Sequence, residues 1–271
     1  MPPRPSAPAG PTRRTIAASA AWSLPVVSAA VAAPLAAASP ASCRSTAVFT
    51  QTSVASNPTV LTAVAPGGAV STVRIDSALA AGTTTATQGR DFNLVRDGNR
   101  WASGGSLSAV SEVVVRNYPA GSLMLNQRRS GPITEDPSPG PDAQTLTFTF
   151  VGPDGRSFDP TDVQLSIQNI TSDTNPGYPW LLSWWSTVGF SVRPASISST
   201  AGHEGVGTGT AEDPFRRAAS SDAGIIGRAL IDTFTFGAFP SGSTLTYSQH
   251  QGHQGWHASA LGALSFVSYN C

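Results

Sequence analysis

Residues 144–151 read QTLTFTFV and alternate without a break. Leu146, Phe148 and Phe150 fall on one side, Thr145, Thr147 and Thr149 on the other. A period of two sends one set of side chains to a core and the other to water, as in a half-buried antiparallel strand. The turn signal Gly152-Pro153-Asp154-Gly155 follows at once. The same alternation returns in Val163, Leu165 and Ile167, in Val188, Phe190 and Val192, and in Phe234 and Phe236. Leu245 with Tyr247, and Leu264 with Phe266, continue it. Upstream, residues 47–51, 69–75, 110–117 and 122–126 are further strand candidates, separated by Pro66-Gly67-Gly68, Asp97-Gly98-Asn99 and Gly104-Gly105. Helix-like patches at 76–81 and 215–219 are short. About ten strands with turn punctuation lead to an all-β expectation: an antiparallel two-sheet sandwich, jelly-roll or Ig-like.

Composition narrows the function classes. Charged residues are 12% of the chain, about half of the ~25% usual in globular domains. Sixteen basic and sixteen acidic residues cancel to a formal net charge of zero. Without a basic surplus, nucleic acid loses its electrostatic attraction and is not an expected partner. Every basic residue is Arg and none is Lys, which excludes lysine-nucleophile chemistry.

The first 38 residues have the build of a cleavable signal peptide. A polar start ends in Arg13-Arg14, an Ala-rich apolar run follows, and Ala36-Ala37-Ala38 suits cleavage. Pro25 and Pro34 interrupt the run, which makes it a poor membrane span. Thr12-Arg13-Arg14-Thr15-Ile16 resembles a twin-arginine export motif, with the general secretory route as the alternative. The segment RRTIAASAAWSLPVVSAAVAAP resembles the leaders of actinobacterial secreted proteins of unassigned role. That resemblance implies a secreted or cell-wall-associated product with no transmembrane anchor in the mature chain. The later strands, from LTFTF to LSFVSYN, resemble the β-sandwich modules of bacterial surface proteins.

Cys43 and Cys271 are the two cysteines. An even count in an exported chain points to a disulfide, which requires the chain ends to lie side by side. The expected organisation is therefore a signal peptide, 1–38, and one β-domain, 39–271. The alternative splits the mature part near the Pro-rich segment 129–142.

Three of the four histidines, His250, His253 and His257, fall within Tyr247-Ser-Gln-His-Gln-Gly-His-Gln-Gly-Trp-His257. Zinc needs three or four converging ligands, and no Cys, Asp or Glu lies in the stretch. Gly252 and Gly255 oppose a helix, so the expectation is a solvated hairpin turn between strands, with no metal and no cofactor. Trp180, Trp184, Trp185 and Trp256 form a candidate platform for a cell-wall or extracellular glycan or protein. Adjacent Trp184 and Trp185 must point to opposite faces of a strand, so at least one leaves the core. Asp154, Asp159 and Asp162 are close in sequence but are each explained by turns or a strand start. Glu135, Asp136 and Asp142 form a second acidic group, and neither group has a calcium-loop pattern. No G-x-S-x-G, HExxH or P-loop occurs, and His203-Glu204 sits in a Gly-rich stretch. The expected role is non-catalytic, structural or interacting, at the cell envelope. A carbohydrate-binding module is the alternative, and a secreted hydrolase the second alternative.

Overall fold

The computed structural model describes residues 43–50, 57–84, 86–87, 90–91, 96–97, 100–101, 122–125, 128–129, 141–173, 183–221, 230–251 and 259–269. Among the described residues there is no α-helix, and twelve strands form one large curled antiparallel sheet. They are β1 (Arg44–Ala47), β2 (Thr59–Val64), β3 (Val70–Leu79), β4 (Leu123–Leu125), β5 (Pro141–Val151) and β6 (Thr161–Gln168). The remainder are β7 (Ser172–Asp173), β8 (Trp184–Phe190), β9 (Ser196–Ser199), β10 (Ile231–Ala238), β11 (Thr244–Gln251) and β12 (Ser259–Val267). Their order is β7-β8-β11-β5-β3-β2-β1-β12-β6-β10-β9, with β4 beside β12. The described strands belong to one compact unit, Cys43–Cys271.

The octet lies inside β5 and behaves as its alternation requires. Leu146, Phe148 and Phe150 are buried, while the three threonines between them are half-buried on the outer face. β5 pairs with β3 on one edge and β11 on the other. On the outer face, the Thr145 and Thr246 hydroxyls meet at 2.9 Å across the β5–β11 pair. The inner residues meet others from distant parts of the path. Phe150 packs edge-on against Phe266 of β12 at 5.3 Å, and Phe190 of β8 lies 5.0 Å from Phe234 of β10. The sheet is thus bent until its two halves share one core. Each fully buried Phe contributes about 1.5–3 kcal/mol relative to an exposed one, and an aromatic pair about 0.5–1.5 kcal/mol more. The halves join at β1–β2, where Ala47 and Ala63 are the registered pair.

Several expectations change. Residues 76–79 are not helical but prolong β3, because Asp76, Ser77, Ala78 and Leu79 find partners in Thr147, Leu146, Thr145 and Gln144. Tertiary pairing overrides a weak local preference there. Arg216–Arg217, inside the second helix-like patch, is a short strand paired with Gly205–Val206. The first strand covers Arg44–Ala47 rather than 47–51. β11 and β12 flank the histidine-rich stretch but do not form a hairpin. β11 lies between β8 and β5, and β12 between β1 and β6. Candidate strand 110–117 lies outside the described residues, as do the leader with Arg13 and Arg14, residues 130–140, and Cys271.

Candidate functional site

A row of three residues crosses the outer face at one end of the sheet. Trp185 of β8 is registered with Ser172 of β7 on one side and His250 of β11 on the other. The Trp185 indole and the His250 imidazole stack at 5.2 Å with 9° between their planes. The His250 ring also meets the Thr187 hydroxyl at 3.4 Å. Burial holds the His250 pKa below its ordinary value. On the opposite side of Trp185 the neighbour is only a serine. The Ser172 hydroxyl donates to the Ala219 carbonyl at 3.2 Å, which holds the small pair Ala218-Ala219 close by as a wall. Small side chains beside a large ring leave a hollow. A cavity of about 400 Å³ is lined by Ser172, Trp185, Arg216, Arg217, Ala218 and Ala219.

That wall is fixed from below. Arg216 and Arg217 are adjacent in a short strand, so they face opposite ways: Arg216 is exposed and Arg217 buried. The Arg217 guanidinium donates through Nε to the Ile170 carbonyl at 2.6 Å and through Nη1 to Asp232 Oδ1 at 2.9 Å. Nη2 completes a bidentate pair with Asp232 Oδ2, and both side chains are fully buried. The guanidinium also lies 5.7 Å from the centre of the Phe215 ring. Burial pushes the Asp232 carboxyl above its ordinary pKa, against the opposing pull of Arg217. The segment before the wall runs along β8 on the edge beyond the short strand β7. The Phe190 N–H donates to the Gly209 carbonyl, and Val188 and Phe215 exchange both backbone bonds.

The sequence-derived candidates divide accordingly. Trp185 reaches the outer face and the cavity. Trp184 does not: it is 3% exposed and faces inward, so it is withdrawn from the platform. Trp180 and Trp256 lie outside the described residues, as do His253 and His257. His250 supports Trp185, and among the described residues no group of three metal-binding side chains converges. Asp154 accepts from the Arg156 N–H and the Tyr269 hydroxyl, and Asp159 from the Ser241 N–H. Each therefore fastens a turn separately. The Glu204 carboxylate accepts the Gly202 N–H at 2.9 Å, closing its own turn. Asn169-Ile170-Thr171 has the pattern of a glycosylation sequon, but Asn169 is buried, and its amide oxygen accepts the Leu230 N–H. That side chain is engaged in the fold. Cys43 sits just before β1, whose neighbour is the last strand, β12. No free cysteine occurs among the described residues.

Two contributors were missed from the sequence, Arg216 and the Arg217–Asp232 pair. A signal for the second exists. Asp232 precedes Phe234 and Phe236 in the same alternating phase, which places a carboxylate on the buried face and demands a partner.

No family model and no curated protein matches the chain. Among solved structures it is similar to the adhesin domain of PrgB from Enterococcus faecalis bound to DNA, at 10% identity and a TM-score of 0.35. That match covers 79% of this chain and 69% of the other. A likeness so faint carries no functional argument.

Proposed function

We propose that this chain is an exported, non-catalytic protein of the cell envelope that binds a glycan through the cavity at Trp185. The mature part would form a two-layer sandwich, bent at β1–β2 and closed by a Cys43–Cys271 disulfide. Its leader, residues 1–38, would be removed on export. The Phe150–Phe266 and Phe190–Phe234 contacts support the layered reading, since they join opposite halves of the strand path.

One observation carries the binding role: Trp185 is a half-buried indole on a sheet face, stacked on His250 and bordering a cavity lined also by small residues and two arginines. Sugar rings present apolar C–H faces that pack on aromatic rings, and polar rims that find hydrogen-bond partners. The cavity lies within the ~300–1,000 Å³ range of ligand pockets. A glycan array probed with the mature protein and with Trp185→Ala tests the reading. Binding by the wild type that falls about tenfold or more in the variant supports it. Failure to bind any glycan rejects it in favour of a purely structural module.

A further inference from the structure

We infer, building on the glycan reading above, that the Trp185 cavity selects acidic saccharides, the Arg216 guanidinium receiving the sugar carboxylate while the ring stacks on the indole. Three observations meet here. The two arginines of the wall are not equivalent. Arg217 is committed, with its donors directed to Asp232 and to the Ile170 and His203 carbonyls. Arg216 is exposed, and among the described residues its side chain makes only a long 3.5 Å bond to the Arg217 carbonyl. It has donors to offer at the cavity rim.

Among the described residues, the charge of the cavity lining is one-sided. The lining includes Arg216 and Arg217 and no Asp or Glu. Glu204 adjoins the paired strand, but its carboxylate is turned to the Gly202 N–H, which holds its pKa below the ordinary value. Asp232 is sealed beneath the wall and neutralised by Arg217. A planar guanidinium with several donors matches a carboxylate in a bidentate fork, which a neutral sugar cannot supply.

The geometry asks for a ring and an anion together. Trp185 and Arg216 border the same cavity of about 400 Å³, so a ligand that uses both has a stackable face and a carboxylate on one small frame. A uronic-acid oligosaccharide is such a ligand. A nucleotide strand also joins rings to anions, but it would need a basic track along the protein. This chain has a formal net charge of zero.

The test is calorimetric titration of the mature protein with oligogalacturonate, a neutral oligosaccharide of equal length and a single-stranded oligonucleotide. Trp185→Ala and Arg216→Gln are run alongside, with circular dichroism to confirm folding. Tighter binding of oligogalacturonate, weakening with salt, is expected. Arg216→Gln should lose about tenfold toward the acidic sugar and leave any neutral-sugar binding unchanged. Trp185→Ala should weaken both. If acidic and neutral sugars bind alike and Arg216→Gln changes neither, the acidic preference is overturned while glycan binding survives. If no saccharide binds, or only the oligonucleotide does, both readings fall. Because Arg216 is exposed, its variant should fold normally, so lost selectivity cannot be ascribed to unfolding.

Discussion

Arg217 and Asp232 neutralise each other in full burial, yet they are not interchangeable as targets for mutation. An aspartate stripped of its partner can take up a proton and become neutral. An arginine cannot lose its proton at any pH a protein tolerates. Asp232→Asn, which leaves a buried guanidinium unpaired, should therefore cost about 3–5 kcal/mol in urea unfolding. Arg217→Met should cost less, with its deficit shrinking at acidic pH as Asp232 protonates. Equal losses at every pH would contradict this account. His250 gives a second pH effect of defined sign. Its folded pKa is held below the unfolded value, near 6.5, by burial. The unfolded chain then binds the proton more readily. Stability from this site is complete above the unfolded pKa and is lost as pH falls through the window down to the folded pKa. Thermal unfolding between pH 7 and pH 5 should show a shallower pH slope in His250→Gln than in wild type. At this scale the sequence was only partly informative. Alternation showed which way Trp184 and Trp185 would diverge, but not which of them would be buried. Arg216 and Arg217 looked alike until pairing with Gly205–Val206 gave each a face.

Elements carry the clearest imprint of the sequence. β5 is readable from its own residues because burial and alternation agree from Thr145 to Phe150. Phe148→Ala should cost about 3–5 kcal/mol by opening a core cavity, while Thr147→Ala on the outer face should cost under about 1 kcal/mol. Comparable losses in chemical denaturation would mean that both faces of β5 are buried. Neighbour relations were far less legible. A period of two specifies the buried face of a strand but not the strand beside it. Thus β11 and β12 look like a hairpin in sequence yet lie in different halves of the strand path. A phase shift hides in β12 as well. Leu165 of β6 is opposite Leu264, but Ile167 is opposite Leu261, so two leucines three residues apart both turn inward. A bulge of this kind breaks alternation and conceals one core residue from a periodic reading. Gly189 of β8 carries another constraint that alternation cannot express. A Cβ there would come within 2.9 Å of the Thr210 carbonyl, in the segment that runs along β8. Gly189→Ala should destabilise by about 1–3 kcal/mol, the usual cost of overpacking. It should also loosen the stretch leading to the cavity wall, raising amide exchange at Phe190 and Phe215.

The described sheet depends on how its first and last strands meet. β1 has four residues and joins β2 through the Ala47–Ala63 pair, while its other edge runs along β12 from Arg44–Val267 to Ala47–Leu264. The Ser268 N–H donates to the Cys43 carbonyl at 2.7 Å, and the Ser45 and Ser268 hydroxyls meet at 2.5 Å. Cys271 follows Ser268 by three residues, a length of chain that spans at most about 11 Å. A disulfide between Cys43 and Cys271 is therefore within reach. It would close a loop of roughly 229 residues, for which chain entropy sets an upper bound near 5 kcal/mol. The realised value should be smaller, because an unfolded chain is already compact. If the bond forms, Cys43→Ser, Cys271→Ser and the double variant should lose the same stability, since each removes the same link. Additive losses would instead show two cysteines acting separately. If the bond forms, the native protein should also resist a thiol reagent until it is both reduced and unfolded. The damage on reduction should also begin locally. With one thin attachment to β2, an untethered β1 would fray before the core opens, and amide exchange should rise first at Ser45–Ala47. That order distinguishes a clasp on the first strand from a restraint on the unfolded chain alone, which would speed exchange throughout the sheet together.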